Sequence, residues 1–200
     1  MSPLKIHIVG ASGSGTTTLA RALAPELGAT ALDSDDYFWL PTQPPFRDRR
    51  DRALRHQLVI ADLKHHPRAI LSGAIIGWGD DLEHAFDLVV FSGGSGSAQA
   101  EAIGEAGRSN VREYVRNGGG YVGICAGAYL ACSNFTWGLG ILNAGTVSNK
   151  WRRGQGFMDI ELTDDGRKLR GDVRGTFKVR YHNGPIIRPA GRPDLPAYAP

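Results

Sequence analysis

Long apolar runs are missing from this chain. No stretch approaches the roughly 18 consecutive apolar residues that a membrane-spanning helix needs. The opening MSPLKIHIVG lacks a basic region followed by an apolar core, so it reads as a first strand and not as a secretory signal. Cysteine is nearly absent too. Cys125 and Cys132 are the only two, too few for a disulfide framework, and a reducing compartment is the simpler setting. Strong charge of one sign is also lacking. A formal net charge of +3 admits anionic small molecules such as phosphates but does not mark a nucleic-acid surface. No internal repeat is visible. Together these absences lead us to expect a soluble, cytoplasmic protein with neither a membrane nor a nucleic acid as partner.

What remains is an ordinary globular composition, 42% hydrophobic and 22% charged over 200 residues, enough for one large domain or two small ones. Leu4–Val9 is a short apolar strand ending at glycine. Thr17–Leu27 carries Leu19, Leu23 and Leu27 at i, i+4 and i+8 and stops at Gly28, which predicts a helix, with Pro25 distorting its last turn. A strand is expected at Ala29–Leu32, a Pro- and Arg-rich loop over residues 36–52, a helix at Ala53–Lys64, and strands at Ala69–Leu71 and Asp87–Phe91. A helix over Ala98–Arg116, weakened by Gly104 and Gly107, leads to a strand at Tyr121–Ile124. This alternation predicts a three-layer α/β/α sandwich around a mainly parallel sheet. Beyond Leu130 the segments ILNAGTVSN, FMDIELTDDGRKL and TFKVRYHNG read as strands forming an antiparallel edge, and residues 189–200 as an irregular tail.

Two glycine-rich turns carry the chemistry. The first, GASGSGTT, spaces Gly10 and Gly15 as in a phosphate loop and lies between a strand and a helix. Backbone N–H groups of Gly10, Ser12, Gly13, Ser14, Gly15, Thr16 and Thr17, with the helix N-terminus, would cradle a polyphosphate. Thr17 holds the Mg2+-ligating hydroxyl position. Thr16 stands where the motif has lysine, so the cation that reaches the β- and γ-phosphates is absent, which leaves a binding cradle and weakens the case for phosphoryl transfer. The plainer alternative is a glycine-rich turn in another α/β protein.

This loop, followed in order by LDSDDYFW (residues 32–39), PPFRDRR (44–50) and the stretch 71–91, resembles the small P-loop kinases of the adenylate- and nucleoside-kinase type. The resemblance implies ATP or GTP with Mg2+, or another phosphorylated small molecule, as ligand. Asp33, Asp35 or Asp36 would meet the acceptor hydroxyl, Asp35 as the catalytic choice, and Arg47, Arg49 or Arg50 would steady an anionic substrate. Without it, the aspartates are an Asx-rich turn and the arginines a solvated loop. The resemblance ends near Phe91, before the arginine-bearing lid and last strand of such kinases.

The second turn is Gly123-Ile124-Cys125-Ala126-Gly127. Its pattern is that of a nucleophile elbow: a strand ends, the nucleophile takes a strained conformation and a helix begins, with glycines letting the backbones pass closely. A helix N-terminus lowers a thiol pKa, and the N–H of Ala126 can donate to an oxyanion. The alternative is a small buried thiol in a crowded turn. FSGGSG (91–96), VREYVRNGGGYVGICAGAYLA (111–131) and VRYHNGP (179–185) are similar to the class I glutamine amidotransferase-like fold, a flavodoxin-like fold, and within it to the domain at the N-terminus of some biotin-protein ligases. That similarity implies Gly94 in Ser92-Gly93-Gly94 as a second oxyanion donor and His182 as the base. The family's glutamate, two residues past its histidine, is replaced by Gly184, leaving Asn183 or Asp194 to orient His182. Cys132 is expected only to pack.

Each resemblance lacks what the other supplies. Residues 1–91 hold the kinase-like opening and 92–188 the amidotransferase-like close, so we expect one composite domain joined at the strand DLVVF, by nature or by assembly. Three functions compete: a nucleotide-binding, kinase-like protein; a cysteine hydrolase or amidotransferase using Cys125; and a scaffold with two incomplete sites and no turnover.

Overall fold

The structure is a computed structural model that describes residues 2–148, 150, 152–170 and 174–198. Its elements run β1 (Leu4–Val9), α1 (Thr16–Leu27), β2 (Thr30–Asp33), α2 (Ser34–Phe38), α3 (Arg52–His65), β3 (Arg68–Ser72), α4 (Asp80–Glu83), β4 (Leu88–Phe91), α5 (Gly96–Arg116), β5 (Gly120–Gly123), α6 (Ala126–Ala131), β6 (Ala144–Thr146), β7 (Gln155–Glu161), α7 (Asp164–Arg170), β8 (Thr176–His182) and β9 (Ile187–Pro189). The first five strands form one sheet in the order β2-β3-β1-β4-β5, every pairing parallel. The α/β architecture predicted from the alternation is therefore present, with the kinase-like and amidotransferase-like segments hydrogen-bonded to each other through β4 and β5.

Both sheet faces are covered, as a parallel sheet requires. On one, Ile6, Ile8, Ile70 and Val90 pack against Ala20 and Ala24 of α1. On the other, Ala69 and Leu71 meet Val59 and Leu63 of α3, while Val89 and Phe91 meet Ala100 and Ile103 of α5. The alternation of these residues along β3 and β4 is the period of two that sends successive side chains to opposite faces. Since α1 leaves β1 on one face and α5 follows β4 on the other, a crevice is expected at the carboxyl ends of these adjacent strands.

Several expectations need correcting. Residues 36–38, assigned to a loop, close the short helix α2, because Asp33 caps it by accepting from the Asp35 N–H. The stretch FMDIELTDDGRKL is a strand only as far as Glu161 and then turns into α7. The antiparallel strands near the C-terminus form two separate ribbons, β6-β9 and β7-β8, and not an edge of the parallel sheet. Asn149, closing ILNAGTVSN, and the last two tail residues lie outside the described residues. Within α5 the backbone is non-helical at Gly104 (φ 65°, ψ −176°), and the Arg108 guanidinium reaches back across the kink to donate to the Ala100 carbonyl at 3.0 Å.

Candidate functional site

The Gly10–Gly15 loop follows β1 directly. Gly13 and Gly15 have φ of 77° and 83°, the left-handed conformation that successive inward-turned N–H groups of an anion nest require and that side chains resist. Gly10 has no room for a side chain: a Cβ there would lie 2.0 Å from Ser92 Oγ and 2.3 Å from Ser14 Oγ. From the first turn of α1, Thr17 Oγ1 donates to Asp33 Oδ2 at 2.9 Å. A hydroxyl and a carboxylate thus meet beside the nest, and both are hard oxygen donors of the type that Mg2+ accepts. Thr16 does not compensate for the missing lysine; its Cγ2 lies 2.9 Å from where a Gly10 Cβ would be.

The acidic residues divide their tasks. Asp33 is the one hydrogen-bonded to the loop, through Thr17, whereas Asp35 carries an exposed carboxylate and is held by its backbone N–H. Burial, then the neighbouring charges of Asp33 and Asp35, hold the Asp36 carboxyl above its ordinary range, with Arg21 opposing. Arg50 is committed to the backbone: Nε donates to Tyr37 O at 2.9 Å, and Nη2 to Trp39 O at 3.2 Å and Asp36 O at 3.3 Å. Its donors fasten the end of α2 and are not offered to an anion. Arg47 is exposed on the loop, and Arg49 lies over the Phe38 ring at 5.6 Å.

Cys125 links β5 to α6 with φ 53° and ψ −98°, a conformation that a residue bearing a Cβ adopts only under strain. The flanking glycines answer to crowding. A Cβ on Gly123 would approach Gly127 C to 2.6 Å, and one on Gly127 would approach Phe91 O to 2.3 Å. Gly93 lies directly against the cysteine, its would-be Cβ 3.8 Å from Cys125 Cβ, and Gly94 follows at φ 133°. Ala126, the first residue of α6, is buried. The glycine loop and the elbow expected to share an oxyanion are thus brought together.

His182 lines the same place and also meets the cysteine through its backbone. Cys125 Sγ donates to the His182 carbonyl at 3.5 Å. Neither residue expected to orient His182 does so. Asn183 Oδ1 accepts from the N–H groups of Arg153 at 2.9 Å and Gly154 at 3.0 Å, and Asp194 pairs with Arg192. A cavity of about 800 Å³ is lined by Cys125, the Gly93–Ser97 segment, Phe135, Trp137, Arg180 and His182. Sequence reasoning missed Arg180, although it stands two residues before His182 in β8, the spacing that puts both on one face of a strand. It also missed Ser92, whose Oγ donates to Ser14 Oγ at 3.1 Å and joins the two glycine loops. Cys132 is buried, donates to Ala128 O at 3.3 Å, and has its thiol pushed up to about 11 by burial.

The family model described as Biotin-protein ligase, N terminal, matches residues 80–150, which include Gly94, Cys125 and Ala126. An uncharacterized protein, YqaC of Bacillus subtilis (strain 168), is 50% identical over 86 residues, 43% of this chain and 47% of that protein. An uncharacterized protein of Chlamydia muridarum (strain MoPn / Nigg) is 38% identical over 55 residues, 28% of this chain and 21% of that one. The chain therefore spans about half or less of the curated relatives it matches. Among solved structures it is similar to a shikimate kinase from Acinetobacter baumannii in complex with shikimate (18% identity, TM-score 0.35, 58% of this chain and 75% of that one). It is also similar to a gluconokinase from Sinorhizobium meliloti 1021 (18%, TM-score 0.38, 60% and 81%). No helix among the described residues is long and apolar enough to cross a membrane.

Proposed function

We propose that the chain binds a nucleotide by its phosphates in the Gly10–Thr17 loop, with Mg2+ held between Thr17 and Asp33. The observation that carries this reading is the 2.9 Å hydrogen bond joining the Thr17 hydroxyl to the Asp33 carboxylate at the mouth of the nest. ATP or GTP fits the phosphate chemistry equally. The reading is of binding, not transfer, because position 16 supplies no cation to the β- and γ-phosphates. Asp33, Asp35 and Asp36 make the mouth negative, so the metal must screen the phosphates from them, and affinity should depend steeply on Mg2+. The test is calorimetric titration of ATP with and without Mg2+ into wild type, Thr17→Val and Asp33→Asn. Mg2+-dependent binding weakened about tenfold or more in both variants is the expected result. Binding indifferent to Mg2+ and to both substitutions would overturn it.

A second reading is favoured by the strained backbone of Cys125 beneath a cavity of about 800 Å³. Here the thiolate attacks an acyl carbon, the N–H groups of Gly94 and Ala126 receive the oxyanion, and His182 supplies the base from the rim. We read both sites as parts of one composite domain, 1–91 and 92–188, and the pairing of β4 with β1 on one side and β5 on the other supports this. Alkylation of Cys125 at neutral pH, slowed by His182→Ala, is the expected signature; an inert thiol in the folded protein would remove this reading.

A further inference from the structure

The cavity over Cys125 has a chemical character that its thiol does not explain. Two aromatic rings line it: Phe135 and Trp137 stack at 4.6 Å with an interplanar angle of 21°, and Trp137 Cη2 lies 3.1 Å from the position of an absent Gly96 Cβ. Among the described residues no carboxylate lines the cavity. Arg180 does, and its side chain is uncommitted where several other arginines of the chain are held. Arg108 and Arg112 pair with Glu105, Arg167 with Glu161 and Asp164, and Arg192 with Asp194, while Arg153 donates to Ser148 and Tyr129. Among the described residues the Arg180 side chain has no ion pair and no hydrogen bond, and the residue is exposed where it lines the cavity. A stacked aromatic pair and an uncommitted planar cation lining one cavity, in a space sized for a small metabolite, select for an anion on a flat body.

We infer that the cavity recognises aromatic carboxylates, the ring lying against Phe135 and Trp137 and the carboxylate pairing with Arg180. This deepens the thiol reading of the same site. The carboxylate is a handle and not the reacting group, because an ionised carboxylate resists attack by a thiolate; a substrate would present a separate acyl carbon to Cys125.

Two measurements test it. In the first, phenylacetate and acetate are titrated against the Trp137 indole N–H resonance, assigned with Trp137→Phe. A saturable shift with phenylacetate, at least about fivefold weaker with acetate and lost in Arg180→Gln, is expected. No saturable shift, or one indifferent to Arg180→Gln, overturns the inference. In the second, the rates of Cys125 alkylation by iodoacetate and iodoacetamide are compared with those of glutathione. The anionic reagent should be favoured at Cys125 by about fivefold over the glutathione ratio, and this preference should vanish in Arg180→Gln and in high salt. A ratio equal to that of glutathione contradicts the role of Arg180. Should Cys125 resist both reagents while the Trp137 shift persists, the thiol reading fails and the ligand class stands.

Discussion

Acid should destabilise this fold through one histidine in the middle of its sheet. His7 stands in β1 between Leu71 of β3 and Val89 of β4, almost fully buried. Its ring stacks on Phe86 at 5.0 Å, and Nε2 donates to the Gly73 carbonyl at 2.9 Å. Burial lowers its pKa from 6.5 to about 4, the hydrogen bond to Gly73 opposing. In the unfolded chain the ring titrates near its ordinary value. Below that value the unfolded state binds a proton that the folded state refuses, so stability is full above the unfolded pKa and declines as pH falls toward the folded one. From these two values the linked loss is about 2 kcal/mol between pH 7 and pH 5, and about 3 kcal/mol by pH 4. Denaturant unfolding at a series of pH values, for wild type and His7→Gln, isolates this contribution, since the carboxylates and the other histidines are common to both. The variant should be less stable at pH 7, having lost the stack on Phe86, and the gap should narrow by about 2 kcal/mol on going to pH 5. A gap that stays constant over this range, or a His7 ring resonance that titrates near pH 6.5, would refute the argument.

Gly127→Ala should destabilise by about 1–3 kcal/mol in urea unfolding, because the added methyl meets the Phe91 carbonyl, a backbone atom that cannot swing aside; an unchanged midpoint would show that the elbow is looser than described. Cys125→Gly should instead stabilise by about 1 kcal/mol, since it relieves a side chain held at φ 53°, and a loss of stability would mean that the thiol contributes more than its backbone costs. The thiol of Cys132, pushed up to about 11 by burial, should be alkylated at neutral pH only after denaturation. Peptide mapping that finds it modified in the native protein would contradict its burial.

Much of the molecule is legible in short stretches of sequence, because the signals are local. Leu4 to Thr17 encodes a strand, a nest and a helix start in succession, and glycine is the residue that the left-handed positions 13 and 15 require. The same holds for Gly123 to Gly127, where each glycine marks a backbone contact too close for a Cβ. The bounds of β1 follow from its apolar run, and α1 begins one residue ahead of its expected start. The cap on α2 is less legible, since an aspartate after a strand suits a catalytic role, an Asx turn or a helix cap alike, and only the Asp35 N–H donating to Asp33 decides.

Tertiary structure decided who meets whom. Asp33, and not Asp35, reaches Thr17 because β2 and β1 run parallel with β3 between them, so both end at the carboxyl side of the sheet. Arg50 disappears into backbone carbonyls that become reachable only when the chain folds back from α2 to α3. Asn183 is claimed by Arg153 and Gly154, so it cannot orient His182. Ser92 meets Ser14 across 78 residues because β4 pairs with β1 and sets their following loops side by side. Arg180, Phe135 and Trp137 converge over Cys125 from a ribbon and a loop that no periodicity ties to the elbow. A backbone conformation is set by the few residues that share its dihedral angles, whereas a contact between distant side chains depends on strand order and on which face each helix covers, and both are settled by the burial of the whole core.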